Sequence, residues 1–205
     1  MLKKILFILP LFFLACSHKP KPGEFHNELQ IHQQLKKDIQ DVFLDNADND
    51  LMELEAQFPS SPYIKSDLLI LYLAHLQNED YILAKFYLNQ YEKRFASAKE
   101  IPWCEYQKIK IDYLSYQNAY TNQKRILNLI EECKNYKLTF PNSIFLPEIN
   151  TIYMKAVLTN KYLDDKIYRL YKKLGKEKAA EIYKTTIPKN SKPPKIPWYK
   201  KIFYW

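Results

Sequence analysis

Between residues 24 and 187 the apolar side chains recur at helical spacing, in faces that run out to a polar break and then return. The clearest pair has Leu68, Leu71, Tyr72 and His75 on one face, a break at Asn78-Glu79-Asp80, and Tyr81, Ala84, Leu88 and Tyr91 on the return. A second runs through Ile167 and Tyr171 to a turn at Gly175 and back along Ala180. Nearer the start, Leu35, Ile39 and Val42 pair with Leu51, Leu54 and Phe58. Ile109, Tyr113 and Tyr116 pair with Ile126, Leu129, Ile130 and Tyr136; this is the least regular set, with Thr121-Asn122 in place of a tight turn. Prolines fall between the sets and leave proline-free windows of roughly 36 to 40 residues at 23–58, 63–101, 103–140 and 148–187. Proline costs about 3 kcal/mol inside a helix, so these seams mark helix ends. The seam Phe58-Pro59-Ser60-Ser61 recurs as Phe140-Pro141-Asn142-Ser143. Windows of this length predict an all-α, tetratricopeptide-like solenoid of about four helix hairpins. Ala84 and Ala180 take the positions where two helices cross most closely and only a small side chain fits.

The first 23 residues and the last 18 break the pattern. Residues 1–15 read as a targeting signal, with Lys3 and Lys4 before an apolar run too short to span a bilayer and Ala15 as the small residue before cleavage. Phe13-Leu14-Ala15-Cys16 resembles the lipobox of bacterial lipoproteins, which implies lipidation of Cys16. Ser17 after the cysteine implies an outer-membrane rather than inner-membrane destination. Residues 16–23, polar and carrying two prolines, read as a tether between lipid and fold. Residues 188–205 form a tail in which Pro188, Pro193, Pro194 and Pro197 forbid a continuous helix, followed by Trp198-Tyr199-Lys200-Lys201-Ile202-Phe203-Tyr204-Trp205.

Charge changes the picture less than the net +8 suggests. With Lys3 and Lys4 set aside, the remaining excess sits in six lysines (184, 189, 192, 195, 200 and 201) of a segment without acids, and the helical body is neutral. A neutral body has no net pull on phosphate, so the basic total does not point to a nucleic-acid partner and none is expected. With 47% apolar residues and two glycines, the chain suits one helical domain.

Candidate chemistry is sparse. His18, His26, His32 and His75 are the four histidines; His26 and His32 do not share a helical face, and His75 fills a core slot as a packed imidazole. Glu131-Glu132 and Asp164-Asp165 are adjacent pairs that point apart, as on a solvated face. Two glycines leave no room for a phosphate loop. The expectation is a binding protein and not an enzyme, with no cofactor and no metal. Cys104 and Cys133 fall on antiparallel helices with an axial mismatch of about 4.5 Å, which fits either a disulfide in an oxidising compartment or two buried thiols. Most of the 17 tyrosines fill core slots, and others suit a groove for an extended peptide.

Taken in order, the lipobox, the seam after the first hairpin, Asp80-Tyr81 with Ala84, the second seam, and Tyr171, Gly175 and Ala180 resemble the BamD family of outer-membrane β-barrel assembly lipoproteins over about residues 16–186. The resemblance implies a scaffold anchored in the outer membrane and facing the periplasm, which binds the barrel-forming subunit and unfolded outer-membrane β-barrel proteins. The alternative of the same architecture is a scaffold for other envelope or cell-wall proteins. The chain departs from the family in having four hairpins where better-studied members have five. It also has Tyr183, with Lys184 beside it, near the position of a basic docking residue. Lys184, Trp198, Tyr199, Lys200, Lys201, Phe203 and Trp205 are accordingly candidate contacts to a partner or membrane, against a competing role for the aromatic tail as the cap of the solenoid's exposed end.

Overall fold

The computed structural model describes residues 27–117 and 123–185. Eight helices follow one another there: α1 Glu28–Gln40, α2 Leu44–Gln57, α3 Tyr63–Gln77, α4 Tyr81–Phe95, α5 Ile101–Gln117, α6 Gln123–Thr139, α7 Leu146–Lys173 and α8 Glu177–Ile182. Consecutive helices pack as hairpins, and α1 touches α3 as α5 touches α7, so the pairs stack in the manner of a tetratricopeptide solenoid.

Three of the four hairpins close with one and the same turn. At Asp41-Val42-Phe43, Asn78-Glu79-Asp80 and Leu174-Gly175-Lys176 the middle residue is left-handed, with φ of 63°, 61° and 68°. The third residue sends its N–H back to a carbonyl five residues earlier: Phe43 to Asp38 at 2.7 Å, Asp80 to His75 and Lys176 to Tyr171 at 2.9 Å. The middle residue bonds the carbonyl three back, completing a Schellman motif that satisfies the helix end. That third residue is also the N-cap of the returning helix. Four positions on come Ala47, Ala84 and Ala180, each with no exposed surface. A methyl is all that fits where the returning helix crosses its partner. In α6 the fourth position holds Ile126, also fully buried. A side chain three carbons larger keeps α6 off α5, and α6 lies more fully along α7.

Val42 is where the sequence reading fails. Its periodicity placed it in the core, yet it is 69% exposed in the turn. A β-branched residue in the left-handed region carries a steric cost of about 1–2 kcal/mol. Replacing it with glycine relieves that cost but loosens the unfolded chain, so Val42→Gly is expected to stabilise by about 0.5–1 kcal/mol. Gly175→Ala is expected to destabilise by a similar amount through φ alone, because nothing lies within 4 Å of an added Cβ. Urea midpoints of the two variants check both signs.

The repeated seams are equal in structure as well as in sequence. Ser61 N–H bonds the Phe58 carbonyl at 2.9 Å, and Ser143 N–H bonds that of Phe140 at 3.1 Å. Each serine hydroxyl then accepts the N–H two residues on, from Tyr63 at 3.3 Å and Phe145 at 3.2 Å. Those two rings stack on the preceding hairpin, Tyr63 on His32 and Phe145 on Tyr106. Phe58 and Phe140 are half-buried and pack against the core, whereas Pro59 and Pro141 are exposed and only stop the helix.

Two clusters make up the core. The first joins α1 to α4, and the second joins α6 to α7. α5 is the wall between them: Trp103, Cys104 and Ile111 face the first, and Tyr106, Ile109 and Tyr113 face the second. Trp103 meets Tyr72 and Tyr91 edge-on, and the Tyr72 hydroxyl donates to Gln107 Oε1 at 3.0 Å. Tyr171 stacks on Tyr183 and fixes α8 to the end of α7.

Candidate functional site

Because Ile126 holds α6 away, a cleft opens between α4 and α6 with α5 as its floor. It has two lobes, of 780 and 470 Å³, that share Lys85, Asn89, Asp112 and Glu132. The larger lobe is framed by Ile82 and Phe86, on successive turns of α4, and reaches Arg125 near the start of α6. The smaller extends toward Tyr136 and Phe140.

Charge in the cleft is largely paired. Lys85 bonds Asp112 across α4 and α5. Lys108 bonds both Glu92 and Glu105, at 2.7 and 2.6 Å. Glu132 is the exception. Its Oε2 is buried without a hydrogen-bond partner. Burial first, and then the Asp112 carboxylate beside it, push the Glu132 carboxyl up to about 7, with Lys85 opposing. The sequence reading placed Glu131-Glu132 on a solvated face; Glu131 is exposed as expected, but Glu132 turns into the cleft. A carboxyl raised in the fold favours the native state fully below its unfolded value near 4.5, and this contribution is lost as pH rises through about 7. Glu132→Gln stays neutral throughout. It is expected to melt with wild type near pH 4.5 and a few degrees above it at pH 8, a difference that thermal scans at the two pH values read directly.

Two histidine–carboxylate pairs hold α3 in place. His32 Nδ1 lies 2.6 Å from Oδ1 of Asp67, which is fully buried and whose carboxyl burial pushes upward. His75 Nε2 lies 2.9 Å from Asp48 Oδ1, and the Tyr87 hydroxyl donates to the same oxygen at 2.7 Å. His75 also stacks on Tyr87. The packed imidazole read from the sequence is there; its partner Asp48 was missed, because Asp45 to Asp50 looks like a polar run made for solvent. The Ser66 hydroxyl also reaches Asp67 Oδ1, at 3.4 Å, on the carboxylate side of its pair and not on the imidazole. The histidine–carboxylate bonds run between helices, so both pairs are fastenings.

Cys104 and Cys133 are free thiols, one in each core cluster, with α5 presenting Cys104 to the first. The disulfide reading is therefore corrected to its alternative: axial register allowed a bridge, but the two side chains leave their helices toward different cores. Burial pushes both thiols up to about 12, so neither supplies a thiolate. Ala84 and Ala180 are fully buried, Tyr81 and Tyr171 half-buried, and Gly175 sits in its turn. Lys184 is exposed and bonds Glu181 at 3.0 Å. Cys16 and the tail residues Trp198, Tyr199, Lys200, Lys201, Phe203 and Trp205 lie outside the described residues, as do the signal and the tether. Among the described residues no group of three or more histidine, cysteine or carboxylate side chains is placed to hold a metal, and no helix is long and apolar enough to cross a membrane.

A solenoid with a polar cleft and paired charges is equipped to recognise another chain. The family described as outer membrane lipoprotein, YfiO, matches residues 26–182, which spans all eight helices. The outer membrane protein assembly factor BamD of Helicobacter pylori is similar, 29% identical over 199 residues that cover 93% of this chain and 90% of the relative. The resemblance carried by the seams and by Tyr171, Gly175 and Ala180 holds, and the chain belongs to the YfiO family of outer membrane lipoproteins, that of BamD.

Proposed function

We propose that this protein is a non-enzymatic scaffold of outer membrane β-barrel assembly, lipidated at Cys16 and facing the periplasm, which binds the barrel-forming subunit and unfolded outer-membrane proteins. What carries the reading is the family match over the whole helical body together with a cleft that offers recognition groups. Residues 1–15 act as the signal, residues 16–23 as the tether, and 24–187 as the working domain. The tether keeps the solenoid at the membrane, where effective concentration replaces intrinsic affinity for chains that are passing through. Extended segments of those chains suit a solenoid surface rich in tyrosine, one strand's length at a time. Lys184 and the tail residues 198–205 supply a further contact to the partner subunit or to anionic phospholipid.

Two measurements test it. Cys16→Ala is expected to abolish metabolic labelling with fatty acid and to release the protein from the membrane fraction; undiminished labelling rejects the anchor. Mild crosslinking in intact membranes is expected to recover the barrel-forming subunit. Recovery of cell-wall enzymes in its place would make the chain a scaffold of another envelope process.

A further inference from the structure

The cleft between α4 and α6 is chemically unfinished. Its lining carries five carboxylates (Glu79, Asp80, Glu105, Asp112 and Glu132) against three cations (Lys85, Lys108 and Arg125). Lys85 is taken by Asp112, and Lys108 by Glu92 and Glu105. Glu132 is left with a buried oxygen that no donor reaches. A carboxylate pair of this kind is relieved by an added ammonium group between its members, because opposite charge at short range offsets the burial of both. Beside it the rim is apolar. Ile82 is 83% exposed and Phe86 48% exposed, one turn apart on α4, over a floor that includes Ile111 and Leu129. The occupant that fits is an aromatic or aliphatic side chain next to a lysine.

The chain holds such a segment, with lysines 200 and 201 between Tyr199 and Ile202-Phe203. Its charge complements the cleft, six lysines and no acid from residue 182 onward. Its reach is sufficient. Gln123, the first residue of α6, bonds Asn160 and Asp164 of α7. From Asp164 the helix runs only about 15 Å to its end at Lys173, and α8 then folds back beside it. Residues 186–197 span up to about 40 Å when extended. That covers the distance from α8 to the start of α6, where the larger lobe opens.

We propose that in the free protein the cleft between α4 and α6 takes up the chain's own C-terminal segment 198–205, with a lysine at Asp112 and Glu132 and aromatic side chains over Ile82 and Phe86. This goes beyond the scaffold reading: the surface that the tail offers to a partner or a lipid is held in reserve until the partner or lipid competes it away.

The test uses the full chain in mild detergent and zero-length lysine-to-carboxylate crosslinking, mapped by mass spectrometry. The expected result is Lys200 or Lys201 joined within one chain to Glu79, Asp80, Asp112 or Glu132, with a yield that is independent of protein concentration. In a double variant, Ile82→Ala with Phe86→Ala, that yield falls about tenfold, since two apolar anchors are removed. Three outcomes overturn the proposal. Links confined to Asp165, Glu177 or Glu181 make the tail a cap of the terminal hairpin. Links that appear only between chains make it a contact to a second copy. No cleft link, combined with protection of lysines 200 and 201 by anionic phosphatidylglycerol vesicles, makes it a membrane contact. A crosslink yield unchanged in the double variant also rejects the site, and none of these outcomes bears on recovery of the barrel-forming subunit.

Discussion

Ala84→Leu is expected to lower stability by about 1–3 kcal/mol, and with it the melting temperature by about 3–10 °C. The alanine has no exposed surface and sits one turn into α4, at the point where the Schellman turn brings α4 back across α3. Three further carbons there have no free volume and must push α4 outward, away from Leu68, Leu71 and Tyr72 in the same cluster. Ala47→Leu and Ala180→Leu carry the same expectation for the first and last hairpins. The third hairpin inverts it. Ile126→Ala leaves a void in place of an overlap, and is expected to cost about 2–5 kcal/mol. Urea denaturation of the four variants decides the matter: an Ala84→Leu midpoint equal to wild type would mean that the crossing is not where the turn places it.

The second large effect belongs to Asp48→Ala. One carboxylate oxygen serves both the His75 imidazole and the Tyr87 hydroxyl, and both side chains are almost wholly buried. Removing the acceptor strands two donors that water cannot reach, at about 1–3 kcal/mol each, for a total of about 2–5 kcal/mol. Asp48→Asn keeps an acceptor oxygen and is expected to lose less than half of that. Tyr87→Phe removes one donor together with its need, and is expected to cost about 1 kcal/mol. This ordering separates a shared acceptor from simple loss of charge, which would make Asn as damaging as Ala. Chemical denaturation of the three variants at pH 7 gives the ranking.

Most of the architecture was legible because it rests on local rules. Proline at the seams, small residues at the crossings and apolar faces at helical spacing all act within one hairpin, and the seam serines repeat the same bonds 82 residues apart. What escaped depends on pairs that no spacing announces. Val42 looks apolar and therefore buried; its exposure follows from a turn geometry that usually marks itself with glycine. Asp48 and Asp67 look soluble and are fastenings, because their partners lie 27 and 35 residues away on another helix. Glu132 was assigned to solvent because adjacency to Glu131 says which way the two side chains diverge, not which of them meets a neighbour. Cys104 and Cys133 had suitable height and unsuitable direction. The candidate cleft itself was invisible, since it follows from one isoleucine standing where three other hairpins have alanine.

The last buried side chain of α7 is Thr159, and the helix continues for fourteen residues beyond it. Past Leu163, which still packs against the second core cluster, the half-buried side chains lean on the six-residue α8 and the start of α6. Backbone amides there open by local fraying, without disturbing either core cluster. Deuterium uptake should therefore run as a gradient along one continuous helix, slow at Ile152 and Ala156 and fast past Tyr168. A partner that grips the far end would flatten the gradient, so the helix itself can report on an encounter at its tip.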